Sequence, residues 1–335
     1  MNHKMILLAL SIPLLALLNL TIGSVPVPFA EVLHLLTGQG SESQVYANIV
    51  LQTRLPQALT AMACGAGLSV AGLQMQTVFH NPLAGPSVLG ISSAASLGVA
   101  FVVLLSGSLG GALTRFGFVG NAALTVAAIG GALAAMLLIL WLSRRVEGKA
   151  TLLIVGVLIG YIASAIIGVL KYFSSEEDIR AYVIWGLGSF ARVCGGQVYV
   201  FVGLMAVCCP LAMFLAKPLN TLLLGERYAA NLGLNIRRSR TQIILSAGIL
   251  TAVTTAYCGP IMFLGLAVPH IARGLFRTAD HRILLPATLM AGASLAMACN
   301  LIARLPGMEG ALPINSVTAL IGAPVALAIL LRRQR

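Results

Sequence analysis

A chain of 335 residues, 59% of them hydrophobic and 9% charged, cannot cover a water-facing surface; soluble domains carry about 25% charge. A mean hydropathy of +0.96 makes lipid the solvent. The formal charge of +12 would suggest nucleic acid in a soluble protein; here it reads as the basic residues of cytoplasmic loops, and no nucleic-acid partner is expected.

A helix needs about 20 apolar residues to cross the hydrocarbon core. Such runs fall at 5–22, 55–79, 89–107, 119–143, 150–173, 195–216, 241–258, 283–303 and 315–331, with a shorter piece at 260–268 after a Cys-Gly-Pro break. None alternates apolar and polar residues as barrel strands do, so the expected fold is an all-α membrane bundle of about ten helices. The chain reads as one transmembrane domain over 1–335, with no room for a separate soluble domain.

The first run follows Lys4 and ends at small residues, as a signal peptide would. It is long for one, and removing it would leave an odd number of crossings, so it reads as the first span. With the N-terminus inside, most of the 21 Lys and Arg fall on the inner side, including Arg144, Arg145, Arg237, Arg238 and Arg335. The outer side keeps Glu31, Glu42, Glu176, Glu177, Asp178 and Glu309. Ten crossings return the basic C-terminus inside, so both termini are expected in the cytoplasm.

In the second run Ala61, Gly65 and Ser69 recur every four residues, with Gly72 near the same line. Small residues at this spacing let helices approach closely in lipid. The stretch "HNPLAGPSVLGIS" at 80–92 then breaks the pattern with two prolines, two glycines, an Asn and no Asp, Glu, Lys or Arg. It cannot continue a helix, and it is too apolar for a solvated loop. The run at 150–173 carries Gly156, Gly160, Ser164 and Gly168 at four-residue spacing, which suits close packing.

The stretch 217–240, "KPLNTLLLGERYAANLGLNIRRSR", predicts a short amphipathic helix broken at Gly225 and Gly233. It is either an interfacial helix or one whose apolar face fills a partner's groove. In "GPIMFLGLAVPHIARGLFRTADHR", 259–282, Pro269 interrupts the apolar piece, and His270 after it reads as a hydrogen-bonding group rather than a metal ligand.

The six cysteines have no zinc spacing, and neither a metal nor a cofactor is expected. No Asp or Glu lies mid-span, which argues against a proton-coupled transporter or channel working alone. No acid/base or Ser/His pair at depth suggests a membrane enzyme. The only Gly-Lys, 148–149, has Ser143 where a phosphate loop needs its first Gly, and Ala150 follows it. Energy for transport would have to come from another subunit.

Five stretches carry a resemblance: "RLPQALTAMACGAGLSVAGLQMQTVFHNPLAGPSVLGISSAASLG", "WGLGSF", "LLLGERYAANLGL", "GPIMFLGLAVPHIAR" and "LPINSVTALIGAPV". From about residue 45 onward the chain resembles the FecCD family, the permeases of bacterial ABC importers for iron-siderophores, haem and cobalamin. The resemblance implies a type II importer bundle in the inner membrane, working as a homodimer or close heterodimer. It implies two copies of a separate ATPase subunit and a substrate-binding protein on the outer face. It places ATPase coupling at Leu224, Gly225, Glu226, Ala230, Leu232 and Gly233. It makes Asn81, Pro82, Gly85 and Pro86 part of the cytoplasmic turn, either structural or part of the gate. It makes Gly160, Ser164 and Gly168 candidates for the path. Arg54 and Arg304 become candidates for docking the binding protein, or else plain interface anchors. Two departures touch the docking face: Gln57 stands where a second base is common, and Ala311 and Asn315 replace a Glu and a Gly.

Overall fold

The structure is a computed structural model describing residues 3–40, 43–105, 117–143, 145, 149–305 and 311–333. Glu42, Arg144, Gly148, Glu309 and Arg335 lie outside the described residues.

The crossing helices are α1 (His3–Thr21), α4 (Leu55–Val78), α5 (Ile91–Leu104), α6 (Gly117–Ser143), α7 (Lys149–Tyr172), α9 (Gly196–Met213), α12 (Ile236–Cys258), α13 (Leu264–Phe276), α14 (His281–Ile302) and α15 (Ile314–Arg333). Between them lie α2 (Phe29–Leu36), α3 (Gln44–Asn48), α8 (Glu176–Gly186), α10 (Ala216–Leu223) and α11 (Glu226–Asn231). Among the described residues seven segments, α4 being counted with the turns before it, are long and apolar enough to span a membrane, and three shorter apolar helices accompany them. The piece expected at 260–268 is a helix starting at Leu264 and running to Phe276, straight through Pro269. Lipid tolerates such prolines because neighbouring elements satisfy the freed carbonyl.

Hydrogen bonds tie the helix ends into two faces. At the basic face, Lys4 donates to the Leu275 carbonyl and the imidazole of His270 lies 2.8 Å from the Pro82 carbonyl. At the opposite face, the Ser174 hydroxyl donates to the Leu104 carbonyl and the Ser189 N–H to the Cys258 carbonyl.

α4 is the buried centre, packed against α9, α12, α13 and α14. Its small-residue stripe is a packing device: Gly65 meets the backbone of Gly292 in α14, and Gly72 meets that of Gly265 in α13. Before α4 the chain makes a π-helical turn, Ile49–Arg54. Pro56 explains it: the ring has no N–H to give and would clash with the carbonyl four residues back, and a widened turn relieves both.

Candidate functional site

Three regions gather the residues singled out in the sequence. The first is the segment joining α9 to α12 at the basic face. It forms two short helices, α10 and α11, hinged at Gly225 with φ +94°, a backbone conformation open to glycine. Leu219, Leu222 and Ala229 turn inward, whereas Leu223, Leu224, Tyr228, Ala230 and Leu232 are exposed. An apolar row faces outward where Lys217, Arg227, Arg237 and Arg238 supply charge. Glu226 forms an ion pair with Arg240 of α12. It therefore braces the hinge from within, a role not legible in the motif. Gly233, φ +83°, ends the segment.

The second region is the turn at 80–92. The N–H of Asn81 donates to the Gln76 carbonyl, and its side chain accepts from the Leu83 N–H at 2.9 Å, closing the end of α4. Pro86 opens a single 3₁₀ turn, Pro86–Leu89, and its ring rests on Gly265. Gly90, at φ +72°, passes close to Gly156 of α7. From the other side Arg273 donates to Gln76 Oε1 at 2.5 Å, and Gln76 donates to the Leu266 carbonyl at 3.1 Å. The turn is uncharged because it is wedged among α4, α7 and α13.

The α7 stripe divides in two. Gly156 is buried against the turn, and Gly160 lies near Ser93 of α5. Ser164 and Gly168 are exposed, and a Cβ on Gly168 would meet nothing within 4 Å. The same face carries Tyr161, which is also exposed.

The third region lies at the opposite face. Arg54, Gln57, Arg304 and Ala311 line one cavity of about 310 Å³, closed by Gly23–Val25 and the π-helical turn. Arg54 is only 3% exposed. Its guanidinium donates to the carbonyls of Leu20 at 2.7 Å and Thr21 at 2.9 Å, and to that of Val25, so it caps the end of α1. Arg304 donates to Gln57 Oε1 at 2.8 Å and to Asn19 Oδ1 at 2.9 Å. Asn300 donates to the same Asn19 oxygen at 2.9 Å, while Asn19 donates to the carbonyls of Leu15 and Met297. Burial and the neighbouring Arg54 push the Arg304 pKa down to about 10, so it remains a cation at neutral pH. Asn315 donates its backbone N–H to the Leu187 carbonyl, and its side chain accepts from the Met262 N–H at 3.3 Å. The departures at 57 and 311 thus line one cavity, and that at 315 lies outside its lining. Asn19 and Asn300 were missed in the sequence; their signal is an amide inside an otherwise apolar span, where it needs a partner.

Among the described residues no cluster of His, Cys, Asp or Glu could hold a metal ion.

The profile of the FecCD transport family matches residues 9–332. The vitamin B12 import system permease protein BtuC of Klebsiella pneumoniae is 40% identical over 283 residues, spanning 84% of this chain and 82% of that protein. The protein of the same name in Escherichia coli O6:H1 is 39% identical over 290 residues, 85% and 84% of the two chains. A solved ABC transporter assigned to the metal-chelate type, in an inward-facing conformation, superposes with a TM-score of 0.84 over 98% of both chains at 29% identity. PsaBC from Streptococcus pneumoniae, at 16% identity and a TM-score of 0.54 over 89% of this chain and 94% of that one, shares the fold.

Proposed function

The chain belongs to the FecCD transport family, as a multi-pass permease subunit of an ABC importer, and on that footing we propose that it imports a cobalamin-class ligand. One observation carries the choice of ligand: relatives named as vitamin B12 import permeases align at about 40% identity along 84% of the chain. A second reading, another metal chelate, draws support from the solved transporter of that type.

Two permease copies would enclose the path, with Ser164 and Gly168 of α7 facing it, helped by Gly160. Their support is their exposure in the single chain. Asn81, Pro82, Gly85 and Pro86 would form the inner gate, the support being their wedge between α4, α7 and α13. The basic face would be cytoplasmic, since Lys and Arg mark inner loops, which puts both termini inside. There two ATPase subunits would receive the exposed row of α10 and α11. Leu224, Ala230 and Leu232 would make the contact, Gly225 and Gly233 would set its angle, and Glu226 would brace it through Arg240. A binding protein would dock on the other face. Arg304, half-buried at the cavity wall, is the better-placed base for its carboxylates, and Arg54 would hold the wall in shape.

The test is the complex reconstituted in proteoliposomes with its ATPase and binding protein. Cyanocobalamin should stimulate ATP hydrolysis and accumulate inside, while haem and a ferric siderophore should not. Stimulation by the siderophore alone would favour the second reading, and uptake without any ATPase subunit would overturn both.

A further inference from the structure

A string of polar groups, His281 and Thr77 buried and Asn220 half-buried, joins the α10–α11 segment to the turn at 80–92. Asn220 lies on α10, His281 opens α14, and Thr77 sits in the last turn of α4. Asn220 Nδ2 donates to Asp280 Oδ1 at 2.6 Å. Asn220 Oδ1 accepts the His281 backbone N–H at 2.7 Å and lies 2.8 Å from His281 Nδ1. His281 Nε2 lies 2.8 Å from the Thr77 hydroxyl.

The direction of each bond follows from one fixed charge. The Asp280 carboxylate caps α14 by accepting the Arg282 N–H at 2.9 Å, and an ionised carboxylate only accepts. Asn220 must therefore present its NH₂ to Asp280 and its oxygen to His281. That oxygen requires the proton on Nδ1, which leaves Nε2 an acceptor, so the Thr77 hydroxyl turns its single proton to Nε2 rather than to the Leu73 carbonyl 2.9 Å away, which keeps its place in the helix ladder. Every group is then satisfied with the imidazole neutral, as suits a side chain only 1% exposed.

The placement does more than satisfy polar atoms. Leu219 and Leu222 seat α10 by apolar contact, which leaves its sliding weakly specified. Asn220 fixes it against α14 and, through His281, against α4. Three residues after Thr77 the chain turns at His80, φ +51°, into the stretch wedged against α7.

We propose that Asn220, His281 and Thr77 form a strut that carries displacement of α10 and α11 to the end of α4 and the turn at 80–92. These are positioning residues for transport, and the strut rests on the reading of α10 and α11 as the ATPase contact. Packed, hydrogen-bonded elements of this kind carry coupling between sites when both ends bias their arrangement.

The test needs no transported ligand. A fluorophore on Leu83→Cys, which is exposed, in a Cys194→Ser background would report on the turn when ATP is added to the permease–ATPase complex. Thr77→Val keeps the shape and removes the donor; its ATP-induced signal should fall about tenfold, on the scale of one buried hydrogen bond, while the ATPase still assembles and hydrolyses ATP. Thr77→Ser should restore the signal, and Asn220→Ala, which cuts the other end, should lose it. An unchanged signal in Thr77→Val, loss of assembly in that variant, or no signal in the parent complex would overturn the strut. Ala230→Trp, judged by assembly alone, tests the ATPase contact separately.

Discussion

Gly72 of α4 and Gly265 of α13 are in backbone contact, so close that a Cβ on Gly72 would overlap the Gly265 carbonyl. On the other side Pro86 lies against Gly265. α4 and α13 meet with no side chain between them, and the Pro86 ring closes on the same glycine. Gly72→Ala should therefore cost ~3 kcal/mol or more, at the upper end of overpacking changes. Thermal unfolding in detergent checks this; Gly130→Ala, with nothing within 4 Å of its Cβ, serves as the neutral comparison.

The two arginines of the outer cavity should separate under mutation. Arg54→Ala leaves the carbonyls of Leu20 and Val25 short of a donor, Thr21 keeping the Val27 N–H, at about 1–3 kcal/mol for each that finds no water. Folded yield should fall. Arg304→Glu should instead weaken binding-protein affinity, strongly at low salt and less at high salt, because salt screens the new repulsion. Titration of the binding protein against both variants at two ionic strengths distinguishes them. Equal loss of folded protein in both would remove Arg304 from the docking face.

Reporter fusions after Arg335 and within 174–178 should report opposite sides of the membrane, with the C-terminal fusion cytoplasmic. The same side for both would refute the ten-crossing topology, which puts five crossings between the two points.

Asp280 gives the basic end of the bundle an acid limb. The Arg282 N–H and Asn220 hold its carboxyl below the ordinary carboxylate range. A lowered folded pKa means the stabilisation is present above the unfolded value of about 3.9 and is lost as pH falls through the folded value. Asp280→Ala should cost about 1 kcal/mol as a lost helix cap and should flatten the decline of stability below pH 4. Unfolding midpoints at pH 7 and pH 3.5 measure both.

Most of the bundle is legible because lipid leaves the chain few options: a run of 20 apolar residues must be a helix, and Leu, Ala and Gly need no partner to be read. α13 was misjudged because Pro269 reads as a stop in water, whereas here the helix continues through it. α2 and α8 escaped notice for being short and of mixed polarity. The site was half legible. Motif stretches pointed to 80–92 and to the α10–α11 segment. What Arg54, Arg304, Glu226 and His281 actually hold depends on partners distant along the chain, such as Asn19 for Arg304 and Thr77 for His281. No local pattern encodes those pairings.

The π-helical turn at Ile49–Arg54 amounts to one surplus residue in an otherwise continuous helix from Gln44 to Val78. Every side chain before it is rotated by about a third of a revolution relative to where an unbroken α-helix would point it. The outer tip is thus set in phase independently of the core. Deleting one residue there would leave α4 in its place and swing the tip around its own axis, turning Val50 out of the outer cluster while the membrane-crossing part keeps its neighbours. Length changes of a single residue at this position would re-aim the tip of the helix while its packed centre keeps its neighbours.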